Sequence, residues 1–182
     1  VPLFIRIILI PTVLKNDVQP NKRIVILLIQ NFLSEHVPFL KAERNIQIAF
    51  VDYLQLMHVS GHDSQYRAQE IGEISRQLKE TAKELEIPII ALAQLNRNLM
   101  VRQGSRNGRP VLSDLKDSGS IEQDADIVMF LYRDDYYNEN SEEKNIAEVI
   151  IAKHRGGSTG ALDLLWLGSY TKFVNLEKRF DD

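Results

Sequence analysis

The hydrophobic positions of the chain become regular from residue 45 onward. Continuous apolar runs over residues 46–52 and 87–93 predict two strands that are buried on both faces. Residues 65–86 lie between them and carry apolar side chains three and four positions apart, which predicts an amphipathic helix. Because a strand, a helix and a strand follow one another, we expect a βαβ unit whose strands are parallel.

The second half of the chain predicts the rest of a sheet. Residues 96–110 are rich in Arg, Asn and Gly and predict a basic loop, and residues 113–125 predict a polar turn with a short helix. The acidic residues 134–145 predict a turn. Apolar runs predict further strands at residues 126–133, 147–155, 161–167 and 171–176, the last two as an edge hairpin. The fold class is therefore α/β with a mixed sheet.

Residues 1–44 follow neither pattern. They hold two apolar patches of irregular period and four prolines, so no helix or strand is predicted for them. The first patch spans about 14 residues and contains Arg6 and Pro11, whereas a membrane span needs roughly 20 apolar residues. We therefore expect no membrane association and treat residues 1–44 as an atypical segment before a domain at residues 45–182. The start at Val1 favours a fragment or a processed product.

Composition excludes several classes of protein. A chain of 182 residues suffices for one compact domain. With 22 Lys and Arg against 25 Asp and Glu, the net charge of −3 gives no strong overall attraction to nucleic acid, although a local basic face is allowed. Because there is no cysteine, disulfides, thiolate metal sites and a cysteine nucleophile are excluded, and a cytoplasmic location (in bacteria or an organelle stroma) is expected.

Two polar residues follow neighbouring strands of the predicted βαβ unit. Ligands of open α/β sheets bind at the carboxyl ends of the strands, where Asp52 could hold Mg²⁺ beside the phosphates of a nucleotide. Gln94 ends the next strand, and its amide could hydrogen-bond a γ-phosphate or an attacking water. The alternatives are a capping or loop acid at Asp52 and an ordinary polar strand end at Gln94.

Basic residues gather in two other places. Lys153 and Arg155 lie two positions apart at a strand end before a glycine-rich turn, which suits a phosphate clamp, including one that reaches a neighbouring subunit. The alternative is a pair of solvated cations on a hairpin. A flexible cationic region suits the backbone of single-stranded nucleic acid, the alternative being a solvated loop. Its members are Arg97, Arg102, Arg106, Arg109 and Lys116. His58 and His62 lie in a loop, and no metal site is expected from them.

Four strings together resemble a known family. They are VDYLQLM at residues 51–57, ALAQLNR at 91–97, SDLKDSGSIEQDADIVMFLYRDDYY at 113–137 and AKHRGGSTG at 152–160. In this order and spacing they resemble the C-terminal, RecA-like motor domain of replicative DNA helicases of the DnaB family, over residues 45–176. The resemblance implies a mostly parallel RecA-like sheet flanked by helices, incomplete here, with a C-terminal β-hairpin edge.

The resemblance also implies roles and ligands. Asp52 corresponds to the Walker B aspartate that organises Mg²⁺, and Gln94 to the glutamine that links the nucleotide state to the DNA-binding loops. Lys153 and Arg155 correspond to the pair that reaches the γ-phosphate of ATP on the adjacent subunit, with Arg155 as the arginine finger. DNA-binding positions would be Lys116, Asp117 and Gly119, with Arg102, Arg106 and Arg109 in the preceding loop. Implied partners are single-stranded DNA, further copies in a homo-hexamer, primase and a helicase loader.

The chain departs from the family pattern in two respects. It contains no GxxxxGK[ST] motif, whose backbone amides and lysine cradle nucleotide phosphates, and the family's catalytic glutamate cannot be placed. The chain alone is therefore expected not to hydrolyse ATP, and the family's N-terminal domain and linker helix are not found in it. Residues 1–44 do not match the family, and a shifted reading frame or a degraded gene is our hypothesis for them.

Three functions follow from these observations. The first is part of a hexameric replicative helicase that unwinds DNA 5′→3′ with ATP. The second is a non-catalytic remnant that binds single-stranded DNA or a full-length helicase. The third is another RecA-like ATPase, of the recombinase or circadian-clock type, against which the string SGSIEQDAD at residues 118–126 argues.

Overall fold

The computed structural model describes residues 8–10, 24–27, 41, 45–58, 67–95 and 109–176. Eight strands lie in these ranges: β1 (Ile8–Ile10), β2 (Ile24–Leu27), β3 (Ile48–Val51), β4 (Ile89–Ala91), β5 (Ile127–Tyr132), β6 (Ile146–His154), β7 (Gly160–Leu167) and β8 (Lys172–Asn175). They form one sheet in the order β2-β3-β4-β1-β5-β6-β7-β8.

The sheet has a parallel part and an antiparallel part. β3 pairs with β4 in parallel, as expected for the βαβ unit, and β2 also pairs with β3 in parallel. The other pairings in the described residues are antiparallel, so parallel strands are a smaller share of the sheet than expected. One reason is the short connections from β6 to β7 and from β7 to β8, because only antiparallel neighbours can be joined by tight turns. β1 also enters antiparallel, between β4 and β5.

Helices cover the sheet and close its core. The helices are α1 (Arg67–Glu84), α2 (Gly119–Asp124) and α3 (Asp134–Tyr137), with 3₁₀ helices at Leu54–Leu56, Leu112–Ser118 and Gly168–Tyr170. The apolar stripe of α1 packs into the core through Ile71, Ile74, Leu78 and Ala82. α1 also contacts α2, where a Cβ on Gly72 would lie 2.7 Å from Ser120 Oγ. Glycine at this position therefore permits the close approach of the two helices.

Most elements predicted from residue 45 onward are confirmed. The strands and α1 differ from their predicted bounds by one or two residues within the described ranges, as hydrogen-bonded ends usually do. α3 forms where only an acidic turn was expected. β1 and β2 lie in the segment for which no strand was predicted. Among the described residues, no helix is long and apolar enough to cross a membrane.

Candidate functional site

Asp52 and Gln94 lie at the same edge of the parallel strands. Asp52 follows β3 directly, Gln94 follows β4 by three residues, and Val51 pairs with Ala91 in the parallel register. Beyond this pair the Leu92 N–H donates to the Val51 carbonyl at 2.8 Å. Main-chain hydrogen bonds therefore join the ends of β3 and β4. Asp52 and Gln94 follow the ends of two neighbouring strands, as the sequence predicted.

Asp52 has the chemistry of a single Mg²⁺ ligand. Mg²⁺ is usually held by one or two carboxylates together with water and the phosphates of the substrate. No group of three or more His, Asp or Glu side chains able to hold a metal ion occurs in the part of the chain that the structure describes. The donor set therefore fits a magnesium ion that arrives with a nucleotide, and it does not fit a metal held by protein ligands alone.

Lys153 and Arg155 lie together at the end of β6 and contact the C-terminal turn of α2. The Lys153 ammonium donates to the carbonyl oxygen of Glu122, and the Arg155 guanidinium donates to that of Gln123. The last carbonyls of a helix have no partner within the helix and carry partial negative charge, so they attract cations. Both side chains are therefore held by their own chain.

Asp126 adds an acidic group to this contact. The Arg155 N–H donates to the Asp126 carbonyl at 2.9 Å, and Arg155 Nη1 lies 3.4 Å from Asp126 Oδ1. Lys79 of α1 forms an ion pair with the same carboxylate. The pKa of Lys153 is lowered, first because burial disfavours its charged form and then because Arg155 is close. The Arg155 side chain keeps 53% of its surface exposed, so another molecule can reach it.

The two groups of candidate residues are far apart. A line of paired residues crosses the sheet through Val51, Ala91, Ile8, Val128 and Lys153. The line spans the four gaps between β3 and β6, which at roughly 4.8 Å each gives about 19 Å. No lysine or arginine side chain covers such a distance. Lys153 and Arg155 therefore cannot act at the Asp52 edge of their own chain.

The structure describes only some of the predicted DNA-binding residues. Arg109 forms an ion pair with Glu148 of β6 and lies at the rim of a groove of about 690 Å³ between residues 109–111 and the β6–β7 hairpin. The main chain of Lys116 and Asp117 lies in the 3₁₀ helix Leu112–Ser118, and Gly119 begins α2. Arg97, Arg102, Arg106 and His62 lie outside the described residues.

Two polar residues of the site were not singled out from the sequence. Gln55 contacts the main chain of Gln94 through its side chain, and Asp126 holds Arg155. Gln55 lies inside the string VDYLQLM and Asp126 inside SGSIEQDAD, so both residues belong to strings that the sequence analysis already used. What the sequence lacked was a signal for their partners, which lie 39 and 29 positions away (94 minus 55, and 155 minus 126).

Comparisons with known proteins show the family to which this chain belongs. A family model described as the DnaB-like helicase C terminal domain matches residues 27–175. The replicative DNA helicase DnaB of Geobacillus stearothermophilus is 56% identical over 143 residues, which is 79% of this chain and 31% of the relative. This chain thus spans about a third of that relative's length.

Two solved structures share the fold. One is an ATPase domain, which matches with a TM-score of 0.69 and 49% identity, over 77% of this chain and 49% of that one. A DnaB-like replicative helicase, solved to show its interactions with primase, matches with a TM-score of 0.68 and 50% identity, over 75% of this chain and 33% of that one. The expected RecA-like α/β fold is confirmed, and the chain belongs to the family of DnaB-like helicase C-terminal domains.

Proposed function

We propose that residues 45–182 form the C-terminal part of the ATP-driven motor of a hexameric replicative DNA helicase. The observation that supports this most is the distance of about 19 Å across the sheet from the Asp52 strand end to Lys153. One chain then offers two halves of different ATP sites: Asp52 and Gln94 for its own nucleotide, and Lys153 and Arg155 for that of a neighbour. A head-to-tail ring brings such halves together at every subunit boundary.

Each residue has a distinct task in this proposal. Asp52 holds Mg²⁺, which neutralises charge on the phosphates of bound ATP. Gln94 hydrogen-bonds to the γ-phosphate. When hydrolysis removes that phosphate, the change at Gln94 moves the DNA-facing loops. Arg155, with Lys153, enters the neighbouring site and stabilises the charge that develops on the transferred phosphoryl group. To do so, both cations leave the α2 carbonyls that hold them here.

Hydrolysis needs a part that this chain does not contain. The sequence has no GxxxxGK[ST], so no loop of that type cradles the β- and γ-phosphates. In this proposal the 182-residue chain alone hydrolyses no ATP and works only in a subunit that supplies that loop. The remnant function predicts the same inactivity of the chain, so a test has to restore the missing half.

The same proposal covers DNA and protein partners. The phosphates of single-stranded DNA would contact the ammonium of Lys116 and the main-chain N–H groups of Asp117 and Gly119. Arg102, Arg106 and Arg109 would contact them more loosely. One matched DnaB-like helicase was solved for its interactions with primase, which supports primase as a partner here, with a helicase loader as a further one. These partners place the chain in the cytoplasm or in an organelle stroma.

A graft into the Geobacillus stearothermophilus helicase tests the proposal. Its matching 143 residues are replaced by those of this chain, with which they are 56% identical. We expect the graft to hydrolyse ATP, and Arg155→Ala to lower its kcat by roughly 10³-fold or more while ATP binding is kept, because an arginine finger acts on the transition state. Steady-state hydrolysis and nucleotide titration give the two quantities.

The matched control is Arg76→Ala, which removes an arginine from the exposed face of α1. It should leave hydrolysis unchanged. Equal loss of ATP binding and hydrolysis in Arg155→Ala would contradict a role in trans. A folded graft without any hydrolysis would favour the remnant function.

A further inference from the structure

Gln55 makes a contact that the proposed roles do not explain. It lies in the 3₁₀ helix Leu54–Leu56, three residues after Asp52, in a loop that packs beside the end of β4. Its side-chain Nε2 donates to the Gln94 carbonyl at 3.0 Å, and its Oε1 accepts from the Gln94 N–H at 3.1 Å. One side chain therefore satisfies both main-chain groups of a residue 39 positions away.

This pair of bonds continues the sheet beyond its last paired residues. Main-chain bonding between the two strand ends stops where the Leu54 N–H donates to the Leu92 carbonyl at 2.8 Å. A side-chain amide carries the same donor and acceptor as a peptide group. The Gln55 side chain thus provides the next pair of hydrogen bonds between the two strand ends, both of them to the main chain of Gln94.

Gln55 is itself held firmly. Its neighbour Leu54 is 1% exposed, so the 3₁₀ helix is anchored in the core. Arg67 Nη2 donates to the Gln55 carbonyl at 2.8 Å and Arg67 Nη1 donates to the Met57 carbonyl at 2.9 Å. Arg67 is fixed in turn by an ion pair with Glu70, which is 4% exposed. The loop that follows Asp52 is therefore attached to the first turn of α1.

We propose that Gln55 is a positioning residue that fixes the main chain of Gln94 relative to the loop of Asp52. A movement of the Asp52 loop then moves Gln94 as well, and a movement of Gln94 moves the Asp52 loop, because the Gln55 amide connects the two. The consequence for catalysis rests on the roles proposed for Asp52 and Gln94. The contact itself needs no nucleotide, so it can be tested separately from those roles.

Amide hydrogen exchange in the full 182-residue chain tests the contact. Gln55→Met keeps the length of the side chain and removes its donor and acceptor. We expect the protection of the Gln94 amide to fall roughly three- to tenfold, the range that corresponds to losing a hydrogen bond. The Ile90 amide inside β4 should keep its protection. Gln77→Met, which removes an exposed glutamine bonded to Glu73, should change neither amide.

Gln55→Glu adds a readout that a purely structural role would not move. The ionised carboxylate accepts from the Gln94 N–H but cannot donate to the Gln94 carbonyl, whereas the protonated acid can do both. The NMR shifts of the Gln94 and Leu95 amides should therefore follow one titration near pH 4 to 5, where a glutamate protonates. Spectra of the unaltered chain over the same pH range are the control, because they show every change that does not come from the carboxyl group at position 55.

Two results would overturn the proposal. One is unchanged protection of the Gln94 amide in Gln55→Met. The other is an equal loss at Ile90, since Gln55 would then serve the whole sheet and not Gln94. A graft without ATP hydrolysis would end the proposed function and leave these exchange results as they are.

Discussion

Asp134 shows how hydrogen bonds shift the pKa of a carboxyl group in this protein. The Tyr132 hydroxyl donates to Asp134 Oδ1 at 2.8 Å, and Asn138 Nδ2 donates to Oδ2 at 3.3 Å. A hydrogen bond with Ser141 is the largest cause that holds the pKa of Asp134 below its usual value of 3.8. Burial and the bond to Asp134 raise the pKa of Tyr132. Both residues therefore keep their ordinary charge at neutral pH.

This arrangement predicts a pH dependence of stability. Because the folded-state pKa of Asp134 is lowered, its stabilising contribution is present above the unfolded value of 3.8 and is lost as the pH falls through the folded value. Asp134→Asn should lower the free energy of unfolding by about 1 kcal/mol at pH 7, and the difference should shrink as the pH falls from 3.8 through the lower folded-state pKa. Urea unfolding at several pH values measures it. Glu84→Gln, at the exposed end of α1, is the control, and a difference independent of pH would contradict the account.

Residues at strand ends could be identified from the sequence, whereas their partners could not. Asp52 and Gln94 follow apolar runs whose ends are visible as sequence, and the structure places both at one edge of the sheet. The ion pair of Arg109 with Glu148 and the contact of Gln55 with Gln94 each join residues 39 positions apart. Such contacts depend on how the elements pack, which no local pattern encodes.

Among the elements, α1 contributes a continuous apolar face to the core. Its spacing of apolar residues holds over the whole helix, and Leu78 is 0% exposed. The same helix anchors the loop of Asp52 through Arg67 and holds Asp126 through Lys79. Changes in the packing of α1 therefore reach both candidate half-sites.

Shortening Leu78, a fully buried side chain of α1, tests how much the helix contributes to the free energy of unfolding. Leu78→Ala should lower the free energy of unfolding by about 3 kcal/mol, from lost apolar contact and the cavity left behind. Gln77→Ala, one residue earlier on the exposed face, should change it by less than about 0.5 kcal/mol. Chemical unfolding of the 182-residue chain gives both values. A similar small effect for both variants would mean that α1 does not close the core.

The elements differ in how well their patterns predicted them. α1 keeps one helical period over its length and the strands from β3 onward are continuous apolar runs, so their bounds were predicted to within one or two residues. β1 and β2 hold three and four residues within an irregular segment, and partners far along the chain place them in the sheet. α3 is one turn of four residues, too short to show a helical period.

At the scale of the whole molecule, the order of strands separates the two candidate half-sites. β4, β1 and β5 lie between the strand that leads to Asp52 and the strand that carries Lys153. The sequence allowed a phosphate clamp that reaches a neighbour, and the resemblance named Arg155 as its finger, but strand order is not readable from a linear pattern. The structure adds a physical reason, since neither cation reaches the Asp52 edge of its own chain.

Mixing two inactive grafts tests this division most directly. One graft carries Asp52→Asn and the other Arg155→Ala, and each alone should hydrolyse ATP only at a small residual rate. In mixed rings about one boundary in four joins an intact Asp52 half to an intact Arg155 half, so ATP hydrolysis should reappear on mixing. Mixing either variant with more of itself is the control. If mixed rings form and hydrolysis stays at the level of the separate variants, the two halves do not belong to different subunits and the central claim fails.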